Sequence, residues 1–140
     1  MLSGHLAIAA LLHHYLDTVP LPTVGGSIAP DLVDKGLYLA LDVTDSGRTY
    51  GHTLLATAVS TAIIHLIWGR QAARSWLVAY LSHLIADADG FVPWFYPWKQ
   101  YRFKQSQRQS SAELLAQFFQ PSPLELVLYL WLTLTWLRRR

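Results

Sequence analysis

The sequence predicts an all-α protein: a compact bundle of about five helices, forming one domain over residues 1–140 and associated with a membrane. Three observations carry this prediction. Apolar residues make up 52% of the chain and charged residues only 14%, against about 25% charged in a typical soluble domain. The apolar residues fall in long runs punctuated by Pro and Gly, which break helices and mark turns. No segment of useful length alternates with the period of a strand.

The elements follow in order. Leu2 to Leu16 reads as a first helix, apolar except for its histidines, and ended by Pro20 and Pro22. A short helix or turn is expected from Val24 to Leu39, which holds Gly25, Gly26 and Pro30. Asp42 to Gly47 is a polar loop. A long helix is predicted from Gly51 to Trp68, with Gly69 as its stop signal. Ala72 to Ala88 forms another, stopped by Asp89-Gly90. Phe91 to Phe103 is aromatic and contains Pro93 and Pro97, so an irregular loop is expected. Gln105 to Ser111 is polar. Ser110 to Gln120 suits a short helix, with a serine near its cap and Glu113 in its first turn. Pro121 to Pro123 opens an amphiphilic last helix, 123–137.

The charges are unevenly placed, for only Lys35 and Arg48 precede Arg70 among the basic residues. A net charge of +2 is too small to argue for nucleic acid, and none is expected as a partner. The chain has no cysteine, which removes disulfides, thiolate metal sites and cysteine nucleophiles. A secretory signal is not expected, because no positive region opens the chain and His13, His14 and Asp17 interrupt its first apolar run. His52 to Trp68 just reaches the lower limit of about 17 residues for a transmembrane helix. Six Trp and seven Tyr suit a membrane–water interface. The terminal Trp136-Leu-Arg-Arg-Arg suits an anchor at an inner or plasma membrane, with the C-terminus cytoplasmic.

Four polar motifs interrupt the apolar runs. The first is His83-Leu-Ile-Ala-Asp87. Residues four apart share one helix face, so this pair can bind one metal, or the carboxylate can orient the imidazole; alternatively the two simply satisfy each other at a helix end. The second is Arg48-Thr-Tyr-Gly-His52-Thr53, where Arg48 is placed to pair with a phosphate or an oxyanion. The third is Pro30-Asp31-Leu-Val-Asp34, with two carboxylates three apart, which also suits a solvated helix end. The fourth is His5 on the first helix, a position equally suited to a core histidine. His13, His14 and His65 are assigned no role, since His14 points away from His5 and His65 lies well round its helix from His52.

The order of these motifs resembles the family of LexA-binding, inner-membrane-associated metal-dependent hydrolases. The matching stretch runs from His5 to about Phe103 and comprises His5, Pro30-Asp31, Arg48 to Thr53, and Tyr80-Leu-Ser-His83-Leu-Ile-Ala-Asp87. Phe95-Tyr96-Pro97 with Arg102-Phe103 looks like the family's closing loop. The family itself resembles helical zinc-dependent phospholipases, which implies a helical bundle with metal ligands donated from several helices. Two positions depart from the pattern. The family reads Pro-Asp-x-Asp-His where this chain has Val33 and Asp34, and Arg-Gly-x-Thr-His-Ser where it has Arg48 to Thr53.

The resulting expectation is a hydrolase that acts on a phosphoester or lipid-like substrate through a metal-activated water. It would use one or two divalent ions, zinc by preference. His5, Asp31, His52, His83 and Asp87 are the expected ligands, with Arg48 and Asp34 as catalytic residues and membrane lipid as a partner. The alternative is a non-catalytic membrane protein whose metal site is structural or degenerate and which acts through a protein partner.

Overall fold

In the computed structural model, residues 2–40, 48–88, 92–103 and 123–138 are described. The expected Asp42–Gly47 loop, the Asp89-Gly90 stop and the Ser110–Gln120 helix lie outside them. The described residues form four helices, not about five, and no strand.

Helix α1 covers Leu2–Leu16, as expected. Helix α2 covers Pro20–Lys35 and runs on into a π-helical turn, Gly36–Ala40. The expectation of a short helix or turn there was an underestimate, and Pro20 and Pro22 do not keep the chain out of a helix. Pro20 and Pro22 sit in the first turn of α2, where backbone N–H groups have no helical acceptor and proline costs nothing. Gly25 and Gly26 are contact points. A Cβ on Gly26 would lie 2.5 Å from the Trp76 carbonyl oxygen, and one on Gly25 would lie 2.7 Å from the Trp76 ring.

Helix α3, Leu54–Ala86, contains Gly69 at φ +80°. That backbone region favours glycine, so the predicted stop at Gly69 is a sharp reversal. The two arms run antiparallel. Ile64 packs against Ala72 and Ala73, Trp76 Nε1 donates to Ser60 Oγ at 3.0 Å, and His52 faces His83 although they are 31 positions apart. The two helices expected over 51–68 and 72–88 are thus one folded-back element. Thr53 caps it by accepting from Ala56 N at 3.0 Å.

The arms are about 22 and 25 Å long at 1.5 Å per residue, both short of a hydrocarbon core of about 30 Å. The transmembrane expectation for His52–Trp68 is accordingly not met: no described helix is long and apolar enough to cross a membrane. Helix α4, Pro123–Leu137, matches its expected range. It lies on α1, where Trp131 Nε1 donates to Tyr15 Oη at 2.9 Å. The buried Glu125 carboxylate accepts from Ser3 Oγ and from Gly4 N, an anion placed on the amino end of α1 where the helix dipole favours one. Residues 92–103 are irregular, as expected.

Candidate metal centre

The polar motifs converge where α2 packs against the open end of the α3 hairpin. Asp31, His52, His83 and Asp87 are all buried, and each offers one ligand atom within 4.8 Å of the others. Asp87 Oδ2 lies 3.4 Å from His52 Nε2 and 3.7 Å from His83 Nε2. Asp31 Oδ1 is 3.9 Å from His52 Nε2. The two Nε2 atoms are 3.2 Å apart.

Each imidazole is oriented from behind. His83 Nδ1–H donates to the Ser27 carbonyl at 2.6 Å. A carbonyl only accepts, so the proton is on Nδ1 and the neutral ring turns a bare Nε2 to the cluster. His52 Nδ1–H donates in the same way to Asp34 Oδ2 at 2.7 Å. With both rings neutral, two Nε2 lone pairs face each other across 3.2 Å, an arrangement that repels unless a cation or a shared proton lies between them. With two carboxylates alongside, the donor set fits a divalent ion with nitrogen and oxygen ligands.

The sequence leads to Asp34 being expected, with Arg48, as a catalytic residue. Asp34 lies behind His52, fully buried, with both oxygens engaged. Oδ2 accepts from Thr49 N, His52 N and His52 Nδ1, and Oδ1 accepts from Thr49 Oγ1 and Gly51 N. Its place is that of the carboxylate that fixes a ligating histidine's tautomer and ring plane. Tyr80 Oη braces the same turn by donating to Gly51 O at 2.6 Å. Thr49 and Tyr80 fall within the sequence motifs but received no role there, because nothing local marks a hydroxyl that bonds across the fold. Sequence reasoning missed Lys35, whose Nζ lies 2.7 Å from Asp31 Oδ2; the i, i+4 spacing of that pair was a readable signal.

Arg48 Nη2 is 2.8 Å from Asp87 Oδ2. Its side chain is 34% exposed and that of Lys35 41%, whereas the carboxylates they pair with are nearly inaccessible. The two cations thus mark the solvent edge of the cluster. His5 is buried beside it, its ring stacked on His83 at 3.8 Å and its Nε2 3.5 Å from Asp87 Oδ1. Its Nδ1 is buried without a hydrogen-bond partner. His65 is exposed on the hairpin, away from the cluster.

The electrostatics follow the geometry. Burial opposes the charged form of Asp87, but the neighbouring His5 and His52 imidazoles and the Arg48 charge hold its carboxyl well below the usual range. Burial likewise opposes ionised Asp31, and Lys35 outweighs it. For His52, burial is outweighed by the Asp34 and Asp87 carboxylates, which favour the protonated ring, and its pKa is raised. Burial and the neighbouring His5 push His83 down to about 4, which leaves it neutral at physiological pH.

The chain belongs to the YdjM inner membrane protein family, whose model matches residues 1–138. No curated protein matches it, and no solved structure does.

Proposed function

We propose that this member of the YdjM inner membrane protein family is a metal-dependent hydrolase of phosphoester or lipid-like substrates at the membrane, as the resemblance to membrane-associated hydrolases implies. Asp31, His52, His83 and Asp87 would hold a divalent ion, zinc by preference, with His5 as a fifth ligand or part of a second ion's site. The observation that carries the reading is the pair of bare Nε2 atoms, 3.2 Å apart between two carboxylates and each fixed from behind by an acceptor. A bound divalent ion supplies Lewis-acid polarisation that makes water acidic near neutral pH. The chain's own residues do the rest. Asp34 keeps the His52 proton on Nδ1, and Ser27 O does so for His83. Arg48, at the solvent edge, would pair with the anionic group of the substrate and oppose charge developing on it.

One observation favours a second reading. Four protein ligands fill a tetrahedral ion's shell, whereas catalytic zinc sites usually keep one position open. A closed site of that kind would be structural, and the protein would act through a protein partner. Elemental analysis of the purified chain and turnover of a phosphodiester such as bis(4-nitrophenyl) phosphate separate the readings. Bound metal with turnover that a chelator abolishes is the expected result. Bound metal without turnover on any phosphoester leaves the structural reading. Absence of metal under every purification refutes both.

A further inference from the structure

The first arm of the α3 hairpin turns an apolar face outward. Leu55, Val59, Ile63 and Leu66 recur at spacings of four, four and three, so they share one face of the helix, and all are exposed. Leu66 is 84% exposed and its neighbour Ile67 64%. The opposite face of the same arm carries the buried Thr57 and Ile64. The arm thus turns apolar residues outward where a soluble amphipathic helix would present a polar face. From Leu54 to Gly69 the sequence has no charged residue. Immediately past the reversal come Arg70 and Arg74, both exposed, beside the half-exposed Trp68.

We propose that this outward face is the protein's lipid-docking surface, lying along the bilayer interface with Trp68 at headgroup level and Arg70 and Arg74 paired with anionic headgroups. Three features fit a bilayer. Membership of an inner membrane family supplies a lipid surface, while no described helix is long and apolar enough to cross it. A helix about 22 Å long with one continuous apolar face suits the interface plane rather than a span. The cations sit at the end of the stripe, where they reach phosphates without entering the apolar layer. A second copy of the chain fits less well, because paired helices of that kind flank an apolar seam with complementary charges, and this arm has none.

The inference does not rest on the metal site, which lies at the other end of the hairpin. Because the chain has no cysteine, single probes can be placed on it directly. Val59→Cys, Leu66→Cys and Gln100→Cys, the last an exposed polar position outside the helices, would each carry an environment-sensitive fluorophore on the full chain. Vesicles of phosphatidylethanolamine and phosphatidylglycerol containing nitroxide-labelled lipid then report contact. Probes at positions 59 and 66 should be quenched several-fold more than the probe at 100. Equal quenching at all three overturns the proposal, as does efficient Leu66→Cys disulfide dimer formation without vesicles, which marks a face between two copies. Arg70→Gln with Arg74→Gln should weaken association with the phosphatidylglycerol vesicles by about fivefold per arginine and leave association with neutral phosphatidylcholine vesicles unchanged. No loss on the anionic vesicles also overturns it. Metal content, measured on the same variants, reports separately on the cluster.

Discussion

Replacing Asp34 by asparagine tests whether the cluster is held by the shell behind it. The substitution is nearly isosteric, so it changes hydrogen bonding and charge and leaves packing alone. Five donors converge on the carboxylate, three on Oδ2 and two on Oδ1. An amide can accept on only one side. If its oxygen takes the Oδ2 position, His52 Nδ1–H and the Thr49 and His52 amides keep an acceptor. The Thr49 hydroxyl can then turn to accept, and only Gly51 N–H is orphaned. A buried donor left unsatisfied costs about 1–3 kcal/mol, and a hydrogen bond to a charged acceptor contributes about 1.5–3 kcal/mol, part of which the remaining bonds also lose. Asp34→Asn should therefore destabilise the chain by about 2–4 kcal/mol in denaturant titration. Residues that orient metal ligands typically contribute 10–100-fold in affinity, so metal binding should weaken by about that factor in a chelator competition assay. Unchanged affinity in a folded Asp34→Asn protein would refute the assignment of Asp34 as the residue that positions His52.

Three further predictions follow from the same geometry. His83→Ala and Asp87→Ala should each lower bound metal to background, whereas Arg48→Ala should keep the metal and lower phosphodiester turnover by about 10²–10³; the exposed His65, replaced by alanine, serves as the control for metal content by elemental analysis. His52, with its raised pKa, must give up a proton to bind an ion, while His83 is already neutral above about pH 4. Apparent affinity should then fall about tenfold per unit as pH drops below the His52 pKa, with one proton released per ion rather than two, as calorimetry in two buffers would measure; a pH-independent affinity through the neutral range contradicts it. Gly26→Ala should cost about 1–3 kcal/mol through overpacking against the Trp76 carbonyl, whereas Gly36→Ala, with nothing within 4 Å of the added methyl, should be neutral or stabilising by up to about 1 kcal/mol, both read from thermal unfolding.

The ends of the chain were legible because their signals are local. Leu2–Leu16 is apolar except for Ser3 and its histidines, and Pro123–Leu137 opens on a proline. Gly69 was legible as a stop, since a glycine closing a helical run is a breaker wherever the chain goes next. Its consequence was not, because a stop says nothing of the antiparallel return that brings His83 to His52. Helix α2 was misjudged for a related reason. Pro30, Gly25 and Gly26 disfavour a helix on their own, and the contact with Trp76 that repays them involves residues about 50 positions away. Within the site, His52, His83, Asp31 and Asp87 could be picked out because polar residues in apolar runs must find partners. Asp34 could not be assigned correctly from spacing. Its partners are mostly backbone amides of residues 49–52, and backbone groups leave no trace in sequence.

The reversal at Gly69 also makes the hairpin a lever. Its pivot is one residue with φ at +80°, and the ligand-bearing ends stand about 22 Å away along each arm. A change of about 5° in the angle between the arms would move His83 relative to His52 by about 2 Å, roughly a whole zinc–nitrogen bond length. Holding the tips in register thus depends on what locks the arms partway along: the Trp76–Ser60 hydrogen bond, and α2 wedged along the second arm from Ser75 to His83. Any force that spreads or closes the arms at the pivot is magnified at the cluster before it is felt anywhere else in the bundle.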